Sequence, residues 1–378
     1  MLRRHFLKAG GLVSASFALS GCLHKRPAVS SFVSTSYCGL RPVHVSEDRE
    51  IRTQVGLRPF RPSGFVVRAE KVDNKVVIHD YGHGGSGITL SWGTASLALS
   101  AGLAGHSGPV AVIGCGAVGL ATARLVQEAG FQVQIYAKDL PPNTTSNVAG
   151  GQWFPFLFSD PDKRTPEFME QLVRAATFAY MRYQTMLGPR YGVRWIRNFY
   201  LSSEPVPAQG LMGKQSPIRA LLPELRDLQP SEVPFTGYPF IRQFDTMLIE
   251  PSVCLRAMLD DFLLSGGKVT VMELPDRPAV SRLPENLIFN CTGLGSRSLF
   301  GDEELIPVKG QITVLLPQPE VDYILLPEGL YMFPRSDGIV LGGTHERGDW
   351  SLTPDLAAKQ FILASHKEIF DSFKRCVQ

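Results

Sequence analysis

One short segment limits the possible folds more than the rest of the sequence. Val110-Ala111-Val112-Ile113 is an apolar, β-branched run typical of a buried strand. Gly114-Cys115-Gly116-Ala117-Val118-Gly119 follows it at once, and Leu120 to Ala129 then has helical spacing. Gly130 ends the helix, and residues 131–136 form a second strand-like run. This order predicts a β-turn-α-β unit whose Gly-x-Gly-x-x-Gly turn lies in the context of a dinucleotide site.

Each part of the turn has a physical role. Gly114 allows the tight bend, Gly116 lets the backbone approach a pyrophosphate, and Gly119 lets the helix pack closely on the strand. Ala117 and Val118 lie within the turn, and the free N–H groups at the N-terminus of the following helix face the anion. We therefore predict that these five residues bind the cofactor.

The end of the second strand departs from the usual pattern. The acid that normally binds ribose is replaced by Lys138, and Asp139 comes only after it. We predict that both residues contact the cofactor. The motif alone leaves FAD, NAD and NADP open.

The next segment favours FAD. Thr144, Thr145 and Ser146 form a hydroxyl-rich loop that can donate to phosphates. Gly151 and Gln152 follow in a run of small residues that lets the backbone approach a bulky, flat ligand. A plain polar turn is the alternative interpretation.

The charge distribution argues against a nucleic-acid partner. The chain of 378 residues has a formal net charge of +3, and its first 21 residues carry three positive charges and no acid. The remainder is formally neutral, whereas a nucleic-acid-binding protein needs a basic surface.

The N-terminus has the pattern of an export signal. Arg3 and Arg4 precede the apolar run Ala9 to Leu19, which is too short to span a bilayer. The paired arginines resemble a twin-arginine signal, and Leu19-Ser20-Gly21-Cys22 resembles a lipoprotein cleavage site. We predict a signal at residues 1–21, a tether at 22–37 and an exported, periplasmic or cell-envelope protein with a lipid anchor on Cys22. A buried helix followed by a chance cysteine is the alternative.

Several longer stretches resemble one family, the D-amino-acid oxidases and D-aspartate oxidases. They cover most of residues 50 to 365 and comprise Gly56–Pro62, His79–Thr89, Ile135–Ala137, Thr144–Trp153, Asn290–Gly293, Gly310-Gln311, Tyr331–Pro334, Leu341–Thr344 and Gly348–Trp350. The resemblance implies FAD as the cofactor.

The order of these stretches is unusual. In the family, the segments that resemble Gly56–Pro62 and His79–Thr89 lie at the C-terminal end, whereas here they precede the nucleotide motif. The chain therefore resembles a circular permutation, joined through the Gly-rich linker at residues 101–109. An unrelated N-terminal domain with the same motifs is the alternative.

The resemblance implies an α/β protein with two interleaved domains. A Rossmann-type FAD-binding domain would comprise residues 65–152 and 247–312. An α+β substrate domain built on an antiparallel sheet would comprise residues 38–64, 153–246 and 313–378.

The resemblance also implies substrate-binding residues. Arg58 matches the arginine that binds the substrate carboxylate, a role that suits a guanidinium because it can donate two parallel hydrogen bonds. Tyr331 matches a tyrosine that binds the same carboxylate, and Gly85 a glycine whose carbonyl accepts from the amine. Arg58 could instead be a surface residue, and Arg41 lies in a similar tetrapeptide.

The loop around Gly85 is expected to contact the flavin. The run Gly84, Ser86, Gly87, Ile88 and Thr89 would open a helix whose N–H groups face the pyrimidine oxygen and stabilise negative charge there. The resemblance implies no side-chain general base, and we nominate neither His83 nor His345. No Cys/His spacing predicts a metal site.

Three departures concern the substrate. The second substrate tyrosine of the family falls on Pro327, and the glutamine that mammalian members carry after the tryptophan is Phe154. Members that oxidise aspartate carry Arg after Gly-Gly-Thr, where this chain has His345, with Arg347 two residues later. His345 could be a weaker, pH-dependent binder of an acidic side chain, or the pocket could take neutral side chains; we expect neutral or broad substrates.

The predicted function is oxidation of D-amino acids to imino acids, which hydrolyse to 2-oxo acids and ammonia, with oxygen reduced to hydrogen peroxide. One alternative is a membrane-anchored dehydrogenase that uses a quinone or another acceptor. The other is a non-catalytic lipoprotein that binds flavin or an amino acid.

Overall fold

The computed structural model describes residue 37 and residues 39–374. The predicted export signal, Cys22 and the tether up to residue 36 lie outside the described residues. The described part contains these strands and α-helices in chain order: β1 (Glu50–Phe60), β2 (Val66–Val72), β3 (Lys75–Tyr81), α1 (Gly87–Gly102), β4 (Val110–Ile113), α2 (Ala117–Glu128), β5 (Val133–Ala137), α3 (Pro166–Gln184), β6 (Val193–Ser202), β7 (Arg226–Leu228), β8 (Phe240–Ile249), α4 (Pro251–Leu264), β9 (Lys268–Val271), α5 (Arg277–Ser281), β10 (Leu287–Asn290), α6 (Gly295–Phe300), β11 (Ile306–Leu315), β12 (Tyr323–Pro327), β13 (Tyr331–Arg335), β14 (Gly338–Gly342), β15 (Glu346–Arg347) and α7 (Leu356–Asp371).

The strands form two sheets. The smaller sheet has the order β2-β3-β10-β4-β5-β9, and all its pairs are parallel except β2 with β3. Its central strand β4 is buried at every position, as expected for a parallel strand covered by helices on both faces. Helices α1 and α2 pack against each other and α2 packs on β4 and β5, which gives the predicted nucleotide-binding unit.

The larger sheet has the order β1-β11-β14-β13-β12-β6-β8-β7, and β15 also pairs with β11. Its pairs are antiparallel except β12 with β6. The predicted fold class, a Rossmann-type unit interleaved with a mainly antiparallel sheet, is confirmed. The chain enters each sheet more than once. Strand β1 lies in the larger sheet, β2 to β5 in the smaller one, β6 to β8 in the larger one, β9 and β10 in the smaller one, and β11 to β15 in the larger one.

The limits drawn from the sequence at residues 247 and 312 fall inside strands. Residue 247 lies in β8 and residue 312 in β11, and both strands belong to the larger sheet. The segment from β9 to α6 is the second part of the chain that contributes to the smaller sheet or packs beside it.

The residues before the nucleotide motif contribute strands to both sheets. Strand β1 pairs with β11 over its length, and β3 pairs in parallel with β10. This early part of the chain is therefore built into the two main sheets and does not form a separate domain. No helix of the described residues is both long and apolar enough to cross a bilayer.

Candidate active site

A cavity of about 830 Å³ lies between the two sheets, at the carboxyl ends of β3, β10, β4 and β5. This edge is where parallel sheets bind ligands. The cavity is lined by most of the residues predicted from sequence: Arg58, Gly84, Gly85, Gly87, Ile88, Thr89, Gly114, Gly116, Ala117, Val118, Lys138, Asp139, Thr144, Thr145, Ser146, Gly151, Gln152 and Tyr331.

Two predicted cofactor residues do not line the cavity. Gly119 packs on the turn, where a Cβ would lie 2.1 Å from the carbonyl oxygen of Gly114, so its role is close helix–strand packing. Ser86 is buried, and its hydroxyl lies 2.7 Å from the amide nitrogen and 2.8 Å from the carbonyl oxygen of Phe156. Both residues shape the site without facing it.

The nucleotide turn has the geometry that its glycines require. Gly114 has φ of 106°, and a Cβ there would lie 2.5 Å from the carbonyl oxygen of Cys291. At the start of α2, the amide of Ala117 donates to the Ser146 hydroxyl at 3.1 Å. A Cβ at Gly116 would lie 3.0 Å from the same hydroxyl oxygen. The turn and the hydroxyl-rich loop thus close around one point, which fits a pyrophosphate at the helix N-terminus.

The loop at the start of α1 is held by the segment that follows the hydroxyl-rich loop. The amide of Gly85 donates to the carbonyl of Leu157 at 3.0 Å, and a Cβ at Gly84 would lie 2.0 Å from that carbonyl oxygen. The Thr89 hydroxyl lies 3.3 Å from the carbonyl oxygen of Gln152 and 3.2 Å from that of Phe154. The first residues of α1 are therefore fixed beside Gly151 and Gln152, on the wall of the cavity.

The predicted carboxylate-binding residues are brought together on the larger sheet. Arg58 projects from β1, and its Nη1 donates to the carbonyl of Thr344 at 3.0 Å. Tyr331 projects from β13 and stacks on Phe333, with its hydroxyl beside the last residue of β14 and Gly343. The guanidinium and the phenol thus lie along one short run, residues 342–344, although they are encoded 273 positions apart.

His345 is uncharged at neutral pH. Its ring lies against Phe156 in an edge-on arrangement, with centroids 5.5 Å apart. The side chain of His345 keeps solvent exposure, but partial desolvation by the surrounding protein, together with the positive charge of Arg58, lowers its pKa to about 4. Neither Phe156 nor Met212, another residue that lines the cavity, could be identified from sequence, because neither lies in a pattern that marks a site.

A buried polar group adjoins the cavity at the end of β3. Asp80 is fully buried, and neither of its carboxylate oxygens has a hydrogen-bond partner among the described residues. Nε2 of His83 lies 3.4 Å from Asp80 and 2.9 Å from the hydroxyl of Thr94. His83 is thus engaged inside the protein, between Asp80 and Thr94.

The opposite end of the cavity carries an ion pair. Nζ of Lys138 lies 3.1 Å from Oε1 of Glu273, and Met272 and Leu274 line the cavity beside them. The pair joins the ends of β5 and β9, which are parallel neighbours. Sequence gave no signal for Glu273, because its position depends on the pairing of two strands far apart in the chain.

The cavity fits a flavin dinucleotide. Its volume lies in the upper part of the range of about 300–1,000 Å³ that is usual for ligand sites. A side chain at Gly114 would clash with the backbone of Cys291, and one at Gly116 would meet the Ser146 hydroxyl, so the turn needs bare backbone at both positions. Residues 149–151, which also line the cavity, are small as well. The fold and the site are those of a nucleotide-dependent oxidoreductase.

Comparisons with known proteins identify the family. Residues 109–378 match the DAO family model, described as FAD-dependent oxidoreductases, and the chain belongs to this family. A D-amino-acid oxidase of Rubrobacter xylanophilus is 32% identical over 265 residues, which are 67% of this chain and 74% of the relative. Human D-aspartate oxidase is 29% identical over 267 residues, or 68% and 74% of the two chains.

Solved structures show the same fold at low sequence identity. Glycine oxidase from Bacillus cereus matches with a TM-score of 0.53 and 16% identity over 70% of this chain and 78% of that one. FAD-bound L-α-glycerophosphate oxidase from Mycoplasma pneumoniae matches with a TM-score of 0.51 and 15% identity over 70% and 79%.

Proposed function

We propose that this enzyme oxidises D-amino acids to imino acids, which hydrolyse to 2-oxo acids and ammonia, with oxygen as the final acceptor and hydrogen peroxide as the product. The proposal rests on one observation: the side chains of Arg58 and Tyr331 both lie against residues 342–344, at the wall of the nucleotide cavity. The relatives named as D-amino-acid oxidases support it.

Different residues of the cavity bind different groups of the substrate. Arg58 binds the α-carboxylate through paired, charge-assisted hydrogen bonds, and the hydroxyl of Tyr331 donates to the same group. The carbonyl of Gly85 accepts from the amine. When bound, FAD supplies the oxidising chemistry at the α-carbon, and the protein supplies orientation and electrostatics.

The cavity favours neutral side chains. Among the described residues that line the cavity, Arg58 and Lys138 carry positively charged side chains. Lys138 lies at the far end, where the nucleotide motif is. With Arg58 engaged by the α-carboxylate, a second carboxylate would face the neutral ring of His345 and the apolar side chains of Phe156 and Met212. An acidic side chain would find no cationic partner there, whereas a neutral one could pack against the ring of Phe156.

The test is a substrate panel on the purified protein. D-alanine, D-methionine and D-aspartate and their L-forms are supplied in air, with peroxide and the flavin absorption spectrum recorded. Peroxide from the neutral D-forms and none from the L-forms supports the proposal. Bleaching of the flavin by D-amino acids without oxygen consumption would point to another electron acceptor, and a colourless protein would contradict a flavin enzyme.

We infer further that the chain is a circular permutation of the family order. The family match begins at residue 109, and residues 50–108 carry family-like segments that pair with β10 and β11. The two described ends of the chain also bind one segment: the amide of Tyr37 donates to Glu232 and that of Lys374 to Pro234, both at 2.9 Å. Ends so placed can be joined at little cost.

Rearranging the gene tests this inference. A chain that starts at residue 109, runs to 374 and continues through a short linker into residues 37–103 restores the family order. We expect it to fold, bind FAD and keep its activity. An insoluble or colourless product would contradict the inference, provided that the same linker inserted after residue 105 of the natural chain is tolerated.

We also propose export and lipid anchoring through Cys22, supported by the pattern at residues 1–22. The natural chain and a Cys22→Ala variant are expressed in a bacterium that exports folded proteins. The natural protein is expected in the membrane fraction and the variant in the soluble periplasm. Recovery of both from the cytoplasm would contradict the proposal.

A further inference from the structure

The usual ribose-binding carboxylate is missing from its place. In dinucleotide-binding folds an acid at the end of the second strand of the motif binds the ribose hydroxyls. Here that strand is β5, and the first residue after it is Lys138, which has no acceptor oxygen on its side chain.

A carboxylate reaches the same place from the neighbouring strand. Strand β9 pairs in parallel with β5 up to Val271 opposite Ala137, and the amide of Met272 donates to the carbonyl of Ala137 at 2.9 Å. Glu273 therefore lies at the same sheet edge as Lys138, and both side chains line the cavity.

Lys138 orients the carboxylate of Glu273 and leaves one of its oxygens available to a ligand. Its Nζ contacts Oε1 of Glu273 at 3.1 Å, while the hydrogen bonds of the described residues leave Oε2 free to accept. Both side chains are about two-thirds exposed (64% and 66%), and pairs this exposed contribute little to stability. The Lys138–Glu273 pair therefore contributes little to folding stability. Because it lies at the wall of the cofactor cavity, it is available to bind a ligand.

We propose that Glu273 binds the ribose hydroxyls of the adenosine half of FAD, and that Lys138 positions its carboxylate. On this proposal the ribose-binding acid follows β9, and a cation takes the first position after β5. The proposal concerns the cofactor alone and holds whichever substrate the enzyme oxidises.

Asp139 is the competing residue. It follows Lys138 in the chain, lines the same cavity and is also exposed. Asp139 is at this edge only because it follows Lys138 in the chain. Glu273 is held there by the pairing of β9 with β5 and by its ion pair with Lys138. The test must separate the two acids.

The experiment measures binding to the apoprotein and does not use turnover. FAD affinity is measured by flavin fluorescence, and ADP and 2′,3′-dideoxy-ADP compete for the adenosine half. We expect the natural protein to prefer ADP by at least about tenfold, the equivalent of about 1.4 kcal/mol, which is near the lower end of what a hydrogen bond to a charged group contributes. Glu273→Ala should lose this preference and bind FAD about tenfold more weakly, whereas Asp139→Ala should keep the preference.

A charge exchange provides the second test. Glu273→Lys alone should lose the preference for ADP, and adding Lys138→Glu should restore it by returning the acid to β5. Asp260→Ala, which removes an exposed, ion-paired carboxylate outside the cavity, is the matched control. Retention of the preference in both Glu273→Ala and Glu273→Lys, or its loss in Asp139→Ala alone, would overturn the proposal.

Discussion

Arg58 Nη1 donates to the carbonyl oxygen of Thr344 at 3.0 Å, across 286 positions of sequence. One nitrogen of the guanidinium is thereby fixed to the end of the β14 segment, and the remaining donors are available at the cavity. The position of Arg58 also leaves no space for a side chain at Gly310 on β11, where a Cβ would lie 2.2 Å from the same nitrogen.

Loss of the guanidinium should weaken substrate binding and leave the cofactor in place. Arg58→Leu removes two charge-assisted hydrogen bonds to the α-carboxylate, so we expect kcat/KM to fall by about 100-fold or more, mainly through KM. Steady-state kinetics and the flavin spectrum measure both effects. Arg52→Leu is the control, because Arg52 lies on the same strand and pairs with Asp337 away from the cavity. A colourless Arg58→Leu protein would show that the residue supports the cofactor.

A methyl group at Gly310 should displace the guanidinium without removing its charge. We expect Gly310→Ala to raise KM by about tenfold, since the flexible end of Arg58 can move away at small cost to the fold. Tm should change by only a few degrees. Gly39→Ala, at a position with open space around it, is the control. An unchanged KM would mean that the observed position of Arg58 is not the one that binds substrate.

A side chain at Gly116 should empty the flavin site. A Cβ there already meets the Ser146 hydroxyl at 3.0 Å, and the larger Gly116→Val side chain would fill the place where the pyrophosphate approaches the backbone. The variant should purify colourless, with unchanged far-ultraviolet circular dichroism. Ser146→Ala, which enlarges the same place, should keep its colour. A yellow Gly116→Val protein would contradict the assignment.

Sequence predicted what depends on local pattern. The strand of residues 110–113, the glycine turn after it and the helix follow from residues adjacent in the chain, although the helix begins at Ala117, three residues before the predicted start at Leu120. The ion pair of Lys138 with Glu273 could not be predicted, because it depends on the register of β5 and β9. The low pKa of His345 likewise depends on partial desolvation by the folded protein and on the nearby Arg58, neither of which is visible in the order of residues.

The buried histidine His366 should make stability depend on pH. His366 in α7 is fully buried, with Nδ1 2.7 Å from the carbonyl oxygen of Ile362 and Nε2 3.1 Å from that of Tyr331. Burial lowers its pKa from an ordinary 6.5 to about 4. The unfolded chain therefore binds more protons between these values, so stability is complete above about pH 6.5 and falls as the pH approaches 4, by about 3 kcal/mol from this residue.

Denaturant unfolding at about pH 7 and about pH 4.5 measures this loss. In His366→Gln the difference between the two pH values should shrink by about 2 kcal/mol, while His44→Gln, at another position in the chain, should leave it unchanged. An equal difference in His366→Gln and the natural protein would show that other groups cause the acid sensitivity.

Substitution of His345 should change the choice of side chain. The ring is neutral because its pKa lies near 4, so it offers no charge to a second carboxylate at neutral pH. His345→Arg places a permanent cation beside the cavity, and we expect kcat/KM for D-aspartate relative to D-alanine to rise about tenfold, the equivalent of about 1.4 kcal/mol. His345→Gln keeps a polar group without the charge and should leave the ratio near its natural value. Equal ratios in His345→Arg and His345→Gln would show that this position does not face the substrate side chain, and the preference for neutral substrates would then have to come from the apolar wall formed by Phe156 and Met212.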